Sequence, residues 1–378
     1  MLNKQFIGWL SIALLIVLFV SGCSGERAET IVIPAQEENN IENHNSHPFL
    51  VKKIYPLPAV DKLFGWSSKN SIIGIFKKEE VAKRVPDYLH TLAFPYETPE
   101  MLQEWHQYTF NLLVSPDGKK MVEIMMSSTS NKGIINLISV QDGSKTEIAT
   151  IDYNKLMYVQ GGAWSNNSRY ICYLVLAAKK KQPAEVHLFD TDTGSLKTYP
   201  LKEIENESPT AISISDNGDN LLLTILPNSK RDSSIIMGTI TDNGINLQSE
   251  KLRTLGEPTW LNNNQFVFLG PENTLYEYDQ RNGELSALLE KVTSFKFSPD
   301  RKKIAYFLYD RDTVYAGKLQ GRNILFQEPV YHGIVPFDLF WSPDGNNLLI
   351  HGQKQSSPAE GSLTQIVPNN DSAYIVAF

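Results

Sequence analysis

The sequence predicts an all-β protein: a seven-bladed β-propeller of four-stranded antiparallel blades. Three observations carry that expectation. A Ser-Pro-Asp-Gly-like turn recurs along the chain, a second turn follows each copy at a nearly fixed distance, and strand-like runs flank both. The clearest copies are Leu113-Val114-Ser115-Pro116-Asp117-Gly118, Phe297-Ser298-Pro299-Asp300-Arg301 and Trp341-Ser342-Pro343-Asp344-Gly345. Looser copies begin at Trp66, Trp164, Ile214 and Trp260. The apolar residue before each turn gives anchors at 66, 114, 164, 214, 260, 297 and 341, in steps of 48, 50, 50, 46, 37 and 44. Propeller repeats run about 40–45 residues. The short fifth step leaves six or eight blades as alternatives.

The turn chemistry explains the motif. Proline presets φ, aspartate closes an Asx-turn, and glycine or asparagine accepts positive φ. The second turns fall at Gly143, Gly194, Gly244, Gly283 and Gly321, with Pro95 and Asn370 completing the set for the first and last anchors. Runs beside them read as strands: Ile134 to Val140, Val186 to Phe189, Ser234 to Ile240 and Leu275 to Tyr278. Hairpin, link and hairpin make one blade, and seven blades fill residues 48–378. Closing the ring requires a strand from one terminus. Both Phe49 to Tyr55 and Ala373 to Phe378 are suitable, and the sequence does not choose which becomes the outer strand of the last blade.

As a set, these motifs resemble the TolB-type and WD-type propeller repeats, in which an apolar or aromatic residue precedes Ser-Pro-Asp-Gly-Lys-Lys-Ile-Ala. The resemblance implies the propeller fold. It departs from TolB in having only a tether before the blades. It departs from propeller peptidases in ending at the last blade. Neither translocation nor peptidase activity is therefore expected to transfer.

The N-terminus supplies an address. Lys4 precedes an apolar run from Phe6 to Val20, ending in Val20-Ser21-Gly22-Cys23. A charged start, a short apolar middle and small residues at the end make an export signal. A membrane-spanning helix needs about 20 apolar residues, more than this run holds. The quartet resembles the lipobox of bacterial lipoproteins, which implies cleavage before Cys23 and diacylglycerol or palmitate on its thiol. Residues 1–22 are then a signal peptide, and 23–47 a lipidated cysteine with a polar, aromatic-free tether. The expected location is the extracytoplasmic side of the cell membrane, held by lipid. No later segment is long and apolar enough to span a bilayer.

Composition narrows the function. Formal net charge is −7, which disfavours a nucleic-acid binder. With Cys23 lipidated, Cys172 stands alone, and its apolar surroundings Tyr170 to Leu176 read as a buried strand. No nucleophile elbow, phosphate loop or His-Glu-x-x-His motif is present, and no cofactor or metal is implied. The turn aspartates Asp117, Asp300 and Asp344 are read as structural.

Candidate binding residues come from topology. With strands a to d numbered from the axis outward, b–c and d–a links share one face. The b–c links are rich in cations, including Lys179, Lys180 and Lys181, suited to an anionic envelope polymer. At the d–a links, Trp105, His106, Gln160, Glu257, His332 and Asp338 are placed to ring the channel, with His332 and Asp338 as a possible imidazole–carboxylate pair. These features favour a non-catalytic binding or scaffold module of the envelope with a protein or polymer partner. The alternatives are a lyase or hydrolase acting on envelope saccharides or lactones, and an assembly factor for exported proteins.

Overall fold

The computed structural model describes residues 47–77, 88–105, 108–127, 129–153, 157–177, 183–201, 204, 207–227, 233–309, 312–354 and 371–378. The signal peptide, Cys23 and the tether before residue 47 lie outside them, as do His106 and Lys179 to Lys181. The described chain forms seven separate four-stranded antiparallel sheets. The inner strands are β2 (Val60–Ser68), β6 (Thr109–Val114), β10 (Met157–Trp164), β14 (Glu207–Ile214), β18 (Thr259–Trp260), β22 (Val292–Phe297) and β26 (Ile334–Trp341). Every anchor therefore lies at or near the end of an inner strand. The 37-residue step belongs to blade 5. Its inner strand has two residues, and its b–c link is a single tight turn through Pro271–Asn273.

The recurrent turn has one construction in five blades. Ser115, Ser165, Ser215, Ser298 and Ser342 each donate from Oγ to the Asp or Asn two residues on, at 2.6 Å in every case. Each serine Oγ in turn accepts the backbone N–H five residues ahead. Asn167 and Asn217 thus replace aspartate without loss of the turn. The second turns also hold. Gly143, Gly194, Gly244, Gly283 and Gly321 all have positive φ between the third and fourth strands of their blades.

Ring closure differs from expectation at one point. The last blade takes its outer strand from the N-terminus. Strand β1 (Lys53–Pro56) pairs antiparallel with β28 (Asp371–Ala377), from Lys53 opposite Ala377 to Pro56 opposite Tyr374. The C-terminal strand is therefore third in its blade. The position 29 residues past the last anchor, Asn370, falls outside the described residues just before β28, so it marks no third-to-fourth-strand hairpin.

The core is divided among the spaces between blades. Facing apolar residues of consecutive blades form clusters such as Phe64, Ile73 and Leu89 with Leu112, Met121 and Ile138. Tryptophan clamps these spaces by hydrogen bonds. Trp66 Nε1 donates to the Phe340 carbonyl, Trp164 to Leu113 and Trp341 to Lys296, each 3.0 Å away and each the residue before the neighbouring anchor. Cys172 is fully buried in this core, and burial pushes its thiol up to about 12. That removes thiolate chemistry at neutral pH.

Outer hairpins are held by arginine–carboxylate pairs. Arg169 grips Asp190 through Nε (3.2 Å) and Nη2 (2.7 Å), and Arg281 grips Asp279 through Nε (2.9 Å) and Nη2 (2.5 Å). The arginine hydrogen bonds hold both carboxyls down to about 2. A depressed carboxyl contributes stability above its unfolded value of about 3.9 and loses it as pH falls through the folded one. The melting temperature is therefore expected to fall as pH drops from about 4 to 2, and replacing Arg169 and Arg281 together by Met to flatten that limb in a calorimetric pH series. An unaltered acid limb in the double variant would show that other carboxylates govern it.

Candidate functional site

Seven inner strands enclose an axial channel with a cavity of about 680 Å³, to which every blade contributes lining residues. That is the size of a small-ligand pocket. Six of the inner strands carry a β-bulge near the channel entrance. The ladder skips a residue at 61, 110, 161, 210, 293 and 337. A bulge bends the strand and re-aims the side chains around it. One result is Phe337, which is exposed on an inner strand whose neighbours are buried.

The two ends of the channel differ. At the end formed by the Ser-Pro-Asp-Gly turns, the blades are latched to one another. Asp117 N–H donates to Ser168 Oγ, Asn167 N–H to Asp216 Oδ1, and Asn217 N–H to Asn263 Oδ1. Lys303 Nζ reaches the Gly345 carbonyl, and Asn347 Nδ2 reaches that of Lys69. Asn166 of blade 3 crosses the axis to give its Nδ2 to the Pro299 carbonyl of blade 6, at 2.7 Å. The turns thus narrow this end into a floor, and the opposite end, where the b–c and d–a links lie, is the mouth.

The channel's charge sits on blade 6. Lys296, on β22, is exposed to the lumen but surrounded by wall. That poor hydration, together with repulsion from Arg301, lowers its pKa, while Glu257 and Asp338 oppose the shift. Arg301 lies at the floor. Burial pushes its guanidinium down to about 10, still cationic at neutral pH, with Asp216 and Asp300 opposing the shift. Arg301 also breaks the turn rule. Gly118, Gly218 and Gly345 occupy this turn position elsewhere with φ of 75°, 76° and 67°, and Arg301 adopts φ 60° in their place. The left-handed region costs a residue with a Cβ about 1–2 kcal/mol.

The sequence-predicted residues divide. Glu257 lines the cavity, and Asp338 acts with it on Lys296. Gln160 Nε2 donates across to the Thr210 carbonyl of the next blade. Trp105 lies in the space between blades 1 and 2, with its ring 5.4 Å from that of Phe64. His332 and Asp338 do not meet. His332 ends the outermost strand of blade 6, with Nδ1 2.8 Å from Thr313 Oγ1, while Asp338 faces His351 Nδ1 at 3.4 Å. Among the described residues, no group of three His, Cys, Asp or Glu side chains is placed to hold a metal. Sequence reasoning missed Lys296, Arg301 and Asn166. The signal for Arg301 was present, because Ser-Pro-Asp-Arg puts a long cation where the other complete copies have glycine.

No protein-family model matches the chain, and no curated protein matches its sequence. Solved structures do resemble it. The tricorn protease superposes with TM-score 0.52 at 14% identity over 72% of this chain, which spans 30% of that protein. Oligogalacturonate lyase from Vibrio parahaemolyticus gives 0.54 at 9% identity, covering 86% of this chain and 91% of the lyase. The propeller domain of the Trilobed protease from Pyrococcus furiosus gives 0.51 at 13% identity, covering 85% and 97%. These likenesses establish the β-propeller fold. The Trilobed domain is described as having an open velcro topology, whereas here β1 closes the ring.

Proposed function

We propose that this protein is a lipid-anchored, non-catalytic binding module of the cell envelope, and that it recognises its partner with the mouth face of the propeller. The carrying observation is the asymmetry of the ring. Turns and cross-axis hydrogen bonds occupy one face. The other surrounds an open cavity with large exposed apolar side chains from several blades, including Tyr108, Tyr158, Leu226, Leu255 and Tyr309. Exposed apolar groups around a concavity mark an interaction surface. A rigid ring with function carried on its links suits recognition. Cys23, in its lipobox-like quartet, supports tethering to the outer side of the membrane.

Photo-crosslinking amino acids at positions 158 and 309, compared with position 282 on the turn face, test the reading in membranes. Discrete adducts are expected from the first two and not from the third. Cys23→Ala is expected to release the protein from the membrane fraction. Equal labelling from both faces, or retention of the Cys23→Ala protein, would overturn the corresponding half of the proposal.

A further inference from the structure

Trp260 is the anchor tryptophan that departs from the clamp pattern. Trp66, Trp164 and Trp341 each give their indole N–H to a neighbouring carbonyl, whereas Trp260 Nε1 is buried with no hydrogen-bond partner among the described residues, in a side chain only 5% exposed. Nor is it isolated. Thr224 Oγ1, in a residue equally buried, Ser213 Oγ, Ser294 Oγ and Arg301 Nε are also buried and unpartnered, and all four residues line the same cavity as Trp260. They belong to three consecutive blades, 4, 5 and 6, and so form one wall and its floor. Lys296 projects from that wall, and among the described residues no ion pair forms at its ammonium.

The chemistry of this wall is one-sided. Indole and guanidinium N–H groups can only donate, an ammonium can only donate, and hydroxyls adapt to whatever faces them. Buried polar groups in native proteins have partners, so unpartnered ones call for an unseen acceptor. Two cations beside neutral donors favour a negatively charged acceptor over a neutral one, and low-dielectric walls concentrate their field in the lumen. The strained backbone of Arg301 fits this demand. A turn position that glycine fills without strain elsewhere is given to a long cation where the chain needs charge at the floor.

We propose that the blade 4–6 side of the channel is an oxyanion site, in which Arg301, Lys296 and Trp260 hold a carboxylate or phosphate group of a ligand entering end-on from the mouth. The site rests on the reading of the mouth as the recognition face and names the chemistry that face selects. The cavity has room for the body of a small acidic ligand above the anion, beside Glu257 at the entrance. Glu257 and Asp338 repel a second negative charge there, so one acidic group enters and the rest of the ligand is neutral.

Isothermal titration of the full-length protein in detergent tests this with two probes, inorganic phosphate and glucuronate, which separate phosphate from carboxylate chemistry. At least one is expected to bind and to weaken with added salt. Arg301→Gly relieves the positive-φ strain, so this variant should melt no lower than the parent while binding at least tenfold more weakly. Lys296→Met should act in the same direction, and Lys302→Met, an exposed neighbour, should leave affinity unchanged. Binding of neither probe, or equal affinity in the parent and Arg301→Gly, would overturn the site. Failure is separable from that of the wider reading. Face-specific crosslinks without anion binding remove this site alone, and Arg301-dependent binding without crosslinks removes the partner surface alone.

Discussion

Replacing Phe49 by alanine should lower the melting temperature by several degrees and turn a monodisperse protein into one that self-associates. Phe49 is 1% exposed, and its ring lies 5.7 Å from Phe378 and 6.4 Å from Trp341. Truncating a buried phenylalanine to alanine costs about 3–5 kcal/mol. Here the loss falls on the closure of the ring. Lys52 N–H bonds the Ala377 carbonyl, Lys52 Nζ bonds that of Phe378, and Leu57 N–H bonds that of Ala373, so Phe49 is the apolar end of a clasp that runs along β1. A loosened β1 uncovers the edge of β28, whose residues Ile375 and Val376 are fully buried in the closed ring. An exposed apolar edge invites strand pairing between molecules. Calorimetry with size-exclusion chromatography reads both effects, and Phe49→Leu should restore most of the loss. If Phe49→Ala melts with the parent, the N-terminal strand contributes nothing to closure.

Lys145→Met should have the other large effect. Glu123 is 1% exposed and collects one donor from every other strand of blade 2: Thr109 Oγ1 from the innermost, Asn136 Nδ2 from the third and Lys145 Nζ from the outermost. Removing the lysine leaves a buried carboxylate without its counter-charge, at a cost of about 3–5 kcal/mol. Removing both charges is different, because well-packed apolar replacements of a buried pair are often neutral. Glu123→Leu combined with Lys145→Met should therefore recover much of the stability lost by Lys145→Met alone, as measured by the denaturant midpoint. If the two variants are equally destabilised, the pair acts through packing rather than charge.

The blade count, the anchors and both turns of most blades could be read from the sequence because the physics behind them is local. A serine and an aspartate two residues apart close a turn wherever they stand, and a glycine with positive φ marks a hairpin. The choice of closing strand was not legible. Phe49 to Tyr55 and Ala373 to Phe378 have similar alternating patterns, and both end in the same blade, so only their order across the sheet distinguishes them. The site was half legible. Glu257 and Asp338 follow from where links meet inner strands. Lys296 could not be recognised, because a lysine within a strand reads as an outward-facing residue until six other strands are set around it. Trp105 and Gln160 were misread for a related reason. Bulges near the entrance change which side chains meet the lumen, and a bulge in an inner strand leaves little trace in composition. Gly161, with φ 68° at the bulge of β10, is the exception, and it was not used.

The pairing of residues 53–56 with 371–377 has a consequence for how the molecule is made. Polypeptides are synthesised and fold from the N-terminus onward. Six blades can assemble from neighbouring hairpins as they emerge, yet the first strand to be made has no lattice to join until nearly the last residue exists. It must wait, extended and unpaired, through the synthesis of about three hundred residues before the ring can lock, and contacts between such distant parts of a chain form slowly.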